Sequence, residues 1–175
     1  ETLLHNITVL ERGWLSANNV VLHSVSGEGA TLIDTGYVSH AEQTVALVQH
    51  ALRPGQTLAR IVNTHLHSDH CGGNAALKQA FATAQIVIPP GQADAVARWD
   101  EDALSYRPTG QRCERFVHDA VLRPGESFTV GARTWQAHAA PGHDPHSLIF
   151  FDAAQRVLAS ADALWPPNNR MVELQ

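Results

Sequence analysis

Cysteine is scarce in this 175-residue chain: Cys71 and Cys113 are the only two, too few for a disulfide scaffold. A reducing, cytoplasmic setting is the resulting expectation. No apolar run approaches the ~20 residues that span a bilayer, so no membrane role is expected. No signal peptide is read in the sequence, and because the chain opens on Glu1 rather than Met, an earlier leader stays an open alternative. Basic residues are the minority: 12 Lys and Arg stand against 17 Asp and Glu, for a formal charge of −5 without any basic run. That balance excludes a nucleic-acid or anionic-membrane surface and leaves small-molecule substrates, neutral or metal-bound. There is no repeat, linker or low-complexity tract. The length and a 44% hydrophobic content suit one domain with a real core.

What the chain does have is histidine, 11 in all, concentrated in the run Thr64-His65-Leu66-His67-Ser68-Asp69-His70-Cys71-Gly72-Gly73. By composition alone a His-x-His-x-Asp-His string arises in about one chain in 500. It follows the apolar run Leu58 to Val62, which reads as a buried strand ending in a polar loop, the place where a scaffold presents side chains to a site. Alternation puts His65 and His67 on one side of an extended backbone, and Asp69 and His70 come from the turn that follows. Two ligand pairs can thus face two neighbouring metal positions.

Elsewhere, strand-like and helix-like patterns alternate. Ile7 to Leu10, Val20 to Val25 and Ala30 to Ile33 read as strands, the last stopping at Asp34-Thr35-Gly36. Ser39-His40-Ala41-Glu42 has capping-box spacing and opens a helix through about Leu52, ended by Arg53-Pro54-Gly55. Gly72-Gly73-Asn74 supplies a turn and N-cap for a helix from Ala75 to about Ala82, followed by a strand from Gln85 to Ile88. Ala93 to Tyr106 reads as one weakly amphipathic helix. Strands then follow at Ser127 to Val130, Thr134 to Ala139, Leu148 to Phe151 and Val157 to Ser160. The sum is a mixed α/β (α+β) sandwich, a single domain over residues 1–175. Three more strand ends carry ligand-type residues, Asp34, His143 in Pro141-Gly142-His143-Asp144-Pro145-His146, and Asp162 in Ser160-Ala161-Asp162. If they converge, the donor set suits zinc, iron or manganese.

The order of these motifs resembles the metallo-β-lactamase-fold hydrolases across nearly the whole chain. The resemblance implies an αββα sandwich with a two-metal site at one sheet edge and one or two zinc ions, with iron or manganese as alternatives. Carried over by position, His65, His67 and His143 hold the first metal, Asp69 and His70 the second, and Asp162 bridges them. Asp34 would support the histidine loop. The family closes its second site with a later histidine, and no His follows His146 here. The expectations are therefore a fold incomplete at its C-terminus, a weaker or empty second metal position, and an uncovered apolar face that would favour association into homo-oligomers.

The implied activity is hydrolysis of an ester, thioester, lactone or amide bond by a metal-bound hydroxide, with Asp69 orienting it. The motif set looks more like the glyoxalase II branch than the true β-lactamases. The alternatives are a mononuclear iron sulfur dioxygenase of the same fold and a metal-binding fold without turnover. His146 and Trp165 are candidates for the substrate pocket, His146 equally for a solvated loop. Cys71 reads as a small buried packing residue, with a metal-proximal thiol as the other reading. Trp14, Trp99, Tyr106 and Trp135 read as core or rim.

Overall fold

The computed structural model describes residues 4–14, 16–25, 27 and 29–164, together with the backbone strand at 172–173. Among the described residues, eleven strands form two sheets. The first contains β1 (Ile7–Leu10), β2 (Asn19–Leu22), β3 (Ala30–Ile33), β4 (Leu58–Val62), β5 (Gln85–Ile88) and β6 (Ala120–Val121), in that spatial order. Strands β1 to β3 pair antiparallel, and β3 to β6 pair parallel. The second sheet is an antiparallel meander of β7 (Ser127–Val130), β8 (Arg133–Ala139), β9 (Leu148–Asp152), β10 (Val157–Ala159) and β11 (Val172–Glu173).

Alternation along the strands builds two cores. Val21, Leu32, Ile61, Ile86 and Ile88 pack against Val48 and Leu77 of helices α1 (Ala41–Ala51) and α3 (Asn74–Ala80). Their neighbours Val20, Leu22, Ile33, Val62 and Val87 face the other way and meet Phe128, Trp135 and Phe150 between the sheets. Because both faces of β2 and β3 are buried, these strands read as nearly continuous apolar runs. The second sheet alternates instead: Trp135 and Ala137 point inward, while Thr134, Gln136 and His138 are exposed. Its outer face along β7 and β8 is therefore polar among the described residues, and Ile149 and Phe151 of β9 add half-buried apolar surface beside it. Among the described residues the helices cover the first sheet only.

Two local expectations change, and one strand was not foreseen. The Ser39 capping box does not form; a 3₁₀ turn over Val38–His40 leads into α1, and the Thr44 hydroxyl donates to the His40 carbonyl. The single helix over 93–106 is two short ones, α4 (Ala93–Arg98) and α5 (Tyr106–Thr109), separated where Trp99 and Ser105 take left-handed backbone at φ 56° and 65°. That turn seats the Trp99 ring edge-on against Phe116 at 5.4 Å, so tertiary packing outweighs local propensity. Strand β6, only two residues long, has no periodic signature in the sequence.

Candidate metal centre

The histidine loop starts where β4 ends and runs into α2 (Ser68–Cys71), a single helical turn. Three polar side chains hold it from beneath. The Asn74 amide donates to Asn63 Oδ1 at 2.7 Å, the Thr35 hydroxyl donates to Asn74 Oδ1 at 2.9 Å, and the Asn63 amide donates to the His70 carbonyl at 3.2 Å. All three residues are fully buried, so this closed network fixes the loop rather than merely decorating it. Asn74 thus serves the loop, not the helix N-cap expected of it: the N-cap of α3 is Gly73. Gly72 and Gly73 are required by contact. A Cβ on Gly72 would lie 2.5 Å from the Ser68 carbonyl oxygen, and one on Gly73 would overlap the Thr35 carbonyl.

Asp34 leaves β3 with left-handed backbone, φ 57°, and this turn brings its buried carboxylate over the loop. Oδ1 accepts the Thr64 N–H at 2.9 Å, and Oδ2 accepts the Thr64 hydroxyl at 2.7 Å and His70 Nδ1 at 2.8 Å. Since the Thr64 hydrogen is committed to Asp34, Thr64 Oγ1 can only accept from His65 Nδ1, 3.1 Å away. His65 Nε2 is left with its lone pair facing the cluster.

His65 Nε2, His67 Nδ1 and His143 Nε2 converge, with 3.1 Å between His65 and His67 and 3.1 Å between His67 and His143. A tetrahedral zinc with bonds of about 2.0–2.1 Å would hold its ligand atoms roughly 3.3–3.4 Å apart, so the donor set and its spacing fit such an ion. A second group, His65, His70 and Asp162, adjoins the first, and within each group the ligand atoms lie within 4.8 Å of one another. His70 Nε2 is 3.2 Å from Asp162 Oδ2, which is also 3.3 Å from His143 Nε2, so the carboxylate stands between the two groups. Asp69 is more peripheral: its side chain is 40% exposed and Oδ2 is 3.6 Å from His70 Nε2.

Charge follows this geometry. His65 loses basicity through burial and the neighbouring imidazoles of His70, His67 and His143. Burial works against the charged form of His70 too, but Asp34 and Asp162 outweigh it and raise its pKa to about 10. For Asp162 burial acts to raise the pKa, yet the hydrogen bond and charge of His70 hold its carboxyl below the usual range.

Two sheets supply these groups. The Leu148 N–H of β9 donates to the Thr64 carbonyl at 2.8 Å and ties the histidine loop to the His143 turn. A cleft of about 360 Å³ opens beside them, lined by His67, Asp69, His143 and Asp162 and by Leu104, Ser105, Tyr106 and Gln111. Behind His70 lies a smaller cavity of about 50 Å³ lined by Asp34, Thr64 and Asp162. His146 does not line the cleft; its ring fills the space where a side chain on Gly91 would sit. Trp165 lies outside the described residues. Cys71 is buried, with Sγ 3.1 Å from Tyr106 Oη and 3.9 Å from Cys113 Sγ. Trp135 and Tyr106 are buried, Trp99 packs against the helix-side core, and Trp14 is exposed. Sequence reading missed Thr35, Asn63 and the cleft-lining α4–α5 turn, none of which carries a local signature. Asp144, given no role by the sequence, has a buried carboxylate 3.5 Å from His67 Nε2.

A family model described as the Metallo-beta-lactamase superfamily matches residues 12–175. A hydroxyacylglutathione hydrolase of Anaeromyxobacter dehalogenans is 28% identical over 157 residues, 90% of this chain and 51% of the relative. Among solved structures, the BLEG-1 B3 metallo-beta-lactamase superposes with a TM-score of 0.72 at 25% identity, covering 91% of this chain and 73% of that one. The B3 enzyme BJP-1 of Bradyrhizobium japonicum gives 0.66 at 23% identity, covering 86% and 55%. This chain spans about half the length of the curated relatives it matches.

Proposed function

The chain belongs to the metallo-β-lactamase superfamily, and from that premise we propose that it is a metal-dependent hydrolase of a small-molecule ester, thioester, lactone or amide. The thioester is the first choice, because a curated relative is named hydroxyacylglutathione hydrolase. The observation that carries the proposal is the meeting of His65 Nε2, His67 Nδ1 and His143 Nε2 at 3.1 Å spacings. His65, His67 and His143 would hold one zinc, and His70, Asp69 and Asp162 an adjoining one. Bound metal supplies Lewis acidity, which lowers the pKa of water and polarises a scissile carbonyl.

The chain's own residues do the rest. Asp34 and Thr64 orient His70 and His65, so that the imidazoles need no reorganisation to act together. Asp69, exposed to the cleft, is placed to accept a hydrogen bond from the attacking water and orient it. Leu104 and Tyr106 give the cleft an apolar wall for an acyl group, and Ser105 and Gln111 add neutral hydrogen-bonding groups.

Elemental analysis of the purified protein, combined with a panel of thioester, lactone and β-lactam substrates, tests the reading. Zinc in the protein and turnover of the thioester are expected. Metal without turnover on any substrate would identify a metal-binding fold instead, and iron with oxygen-dependent chemistry on sulfur compounds would replace hydrolysis by dioxygenation.

A further inference from the structure

We infer that Asp144 is a positioning residue for the candidate metal centre: its buried carboxylate selects the tautomer of His67 that turns an unprotonated Nδ1 toward His65 and His143. The inference rests on the reading of the histidine cluster as a metal centre.

Three observations lead to it. First, the two nitrogens of His67 face different partners. Nδ1 meets His65 Nε2 and His143 Nε2, whereas Nε2 lies 3.5 Å from Asp144 Oδ2. A carboxylate accepts and cannot donate, so it favours the proton on Nε2 and leaves the Nδ1 lone pair for the cluster.

Second, the Asp144 carboxylate is held in place. The residue is 5% exposed, and its Oδ1 accepts the His146 N–H at 2.7 Å, so the side chain cannot swing toward solvent. The backbone that carries it also carries His143, and the Asp144 carbonyl accepts the Ser147 N–H at 3.3 Å. One turn therefore provides a donor to the cluster and orients a second donor from the opposite sheet.

Third, the other two loop histidines are built in the same way. His65 is backed by Thr64 at Nδ1, and His70 by Asp34 at Nδ1. Asp144 completes the set, because each imidazole of the loop then has one nitrogen in the cluster and the other against an oxygen acceptor. Outer partners of this kind are worth about 10- to 100-fold in metal affinity.

Asp144→Asn separates this role from turn capping. Asparagine keeps an Oδ1 for the His146 N–H and nearly the same volume, but directs an amide N–H₂ at His67 Nε2, which favours the proton on Nδ1 instead. The measurements are zinc affinity, by competition with a chromophoric chelator, and the His67 tautomer, by ¹⁵N-detected NMR of the metal-free protein at mildly alkaline pH. Wild type should carry the His67 proton on Nε2, and Asp144→Asn should shift it to Nδ1 and weaken zinc binding about 10- to 100-fold. Unchanged affinity and tautomer in the variant would leave Asp144 as a turn cap and overturn the inference. So would a wild-type His67 protonated on Nδ1, a result that needs no variant to fold. Failure of the wild type to bind zinc would instead remove the metal-centre reading itself.

Discussion

Asp34 and His70 form a buried carboxylate–imidazole pair, Oδ2 to Nδ1 at 2.8 Å, with side chains 3% and 2% exposed. The pair ties the end of β3 to the histidine loop, and the same carboxylate takes both hydrogens of Thr64. Asp34→Ala would strand three buried donors at once. Removing one partner of a buried pair costs about 3–5 kcal/mol, so the denaturant midpoint of the variant should fall markedly. An unchanged midpoint would mean that water replaces the carboxylate at no cost.

The metal-free chain should be most stable near neutral pH. His70, with its pKa raised to about 10, is protonated in the fold, so its contribution is complete below its ordinary value of 6.5 and is lost as pH climbs through 10. His65 has the opposite sign: it is neutral in the fold, so stability drops as pH falls below 6.5 and the unfolded chain takes up the proton. Asp162, with a lowered pKa, adds to the acid-side loss below its ordinary 3.8. Thermal unfolding of chelator-treated protein across this range should give a dome, and a steady rise from neutral to alkaline pH would contradict the His70 environment.

Gly73→Ala should destabilise the fold by about 1–3 kcal/mol or more, because its Cβ meets the backbone carbonyl of Thr35, which has no room to yield. Gly142, where a Cβ meets nothing within 4 Å, is the control, and Gly142→Ala should be close to neutral. Chemical unfolding of both variants makes the comparison.

Cys71 should resist thiol reagents in the folded chain. Burial first, then the adjoining Cys113, pushes its pKa well above the ordinary thiol range, which keeps it out of the reactive thiolate form. Cys113 is buried beside it. Reagent uptake should therefore follow unfolding, and rapid labelling of the native protein would be the contrary result.

If the proposed activity holds, Asp69→Ala should lower turnover by about 10²- to 10⁴-fold while leaving the melting temperature nearly unchanged. The side chain is 40% exposed, and the loop is braced instead by its backbone, whose Asp69 carbonyl accepts the Ala17 N–H at 3.0 Å. Retention of most of the turnover would move the water-orienting role elsewhere.

Legibility in the sequence differs from residue to residue. The bounds of β3 and β4, and the histidine spacing, follow from short-range patterns, and local chemistry is what a sequence displays. The seating of Asp34 was suggested by family resemblance rather than by any spacing. The αL turn at Trp99 was hidden because the ring that justifies it, Phe116, lies seventeen residues on. Thr35, Asn63 and Asn74 look like ordinary turn and cap residues, and only folding reveals that they bond to one another. Asp144 stands next to His143 in the chain, but its partner His67 belongs to the other sheet, so no local pattern joins them.

The bond from Leu148 to the Thr64 carbonyl marks a seam, with His65, His67 and His70 on one side and His143 and Asp162 on the other. His67 and His143 are 76 residues apart in the chain, and His70 and Asp162 are 92 apart. Closing loops of that length costs chain entropy, and the donor set is complete only where the two sheets meet. An ion held there would act as a rivet across the two sheets, binding the folded chain but not its separated halves. Its concentration would then set how readily the sandwich opens.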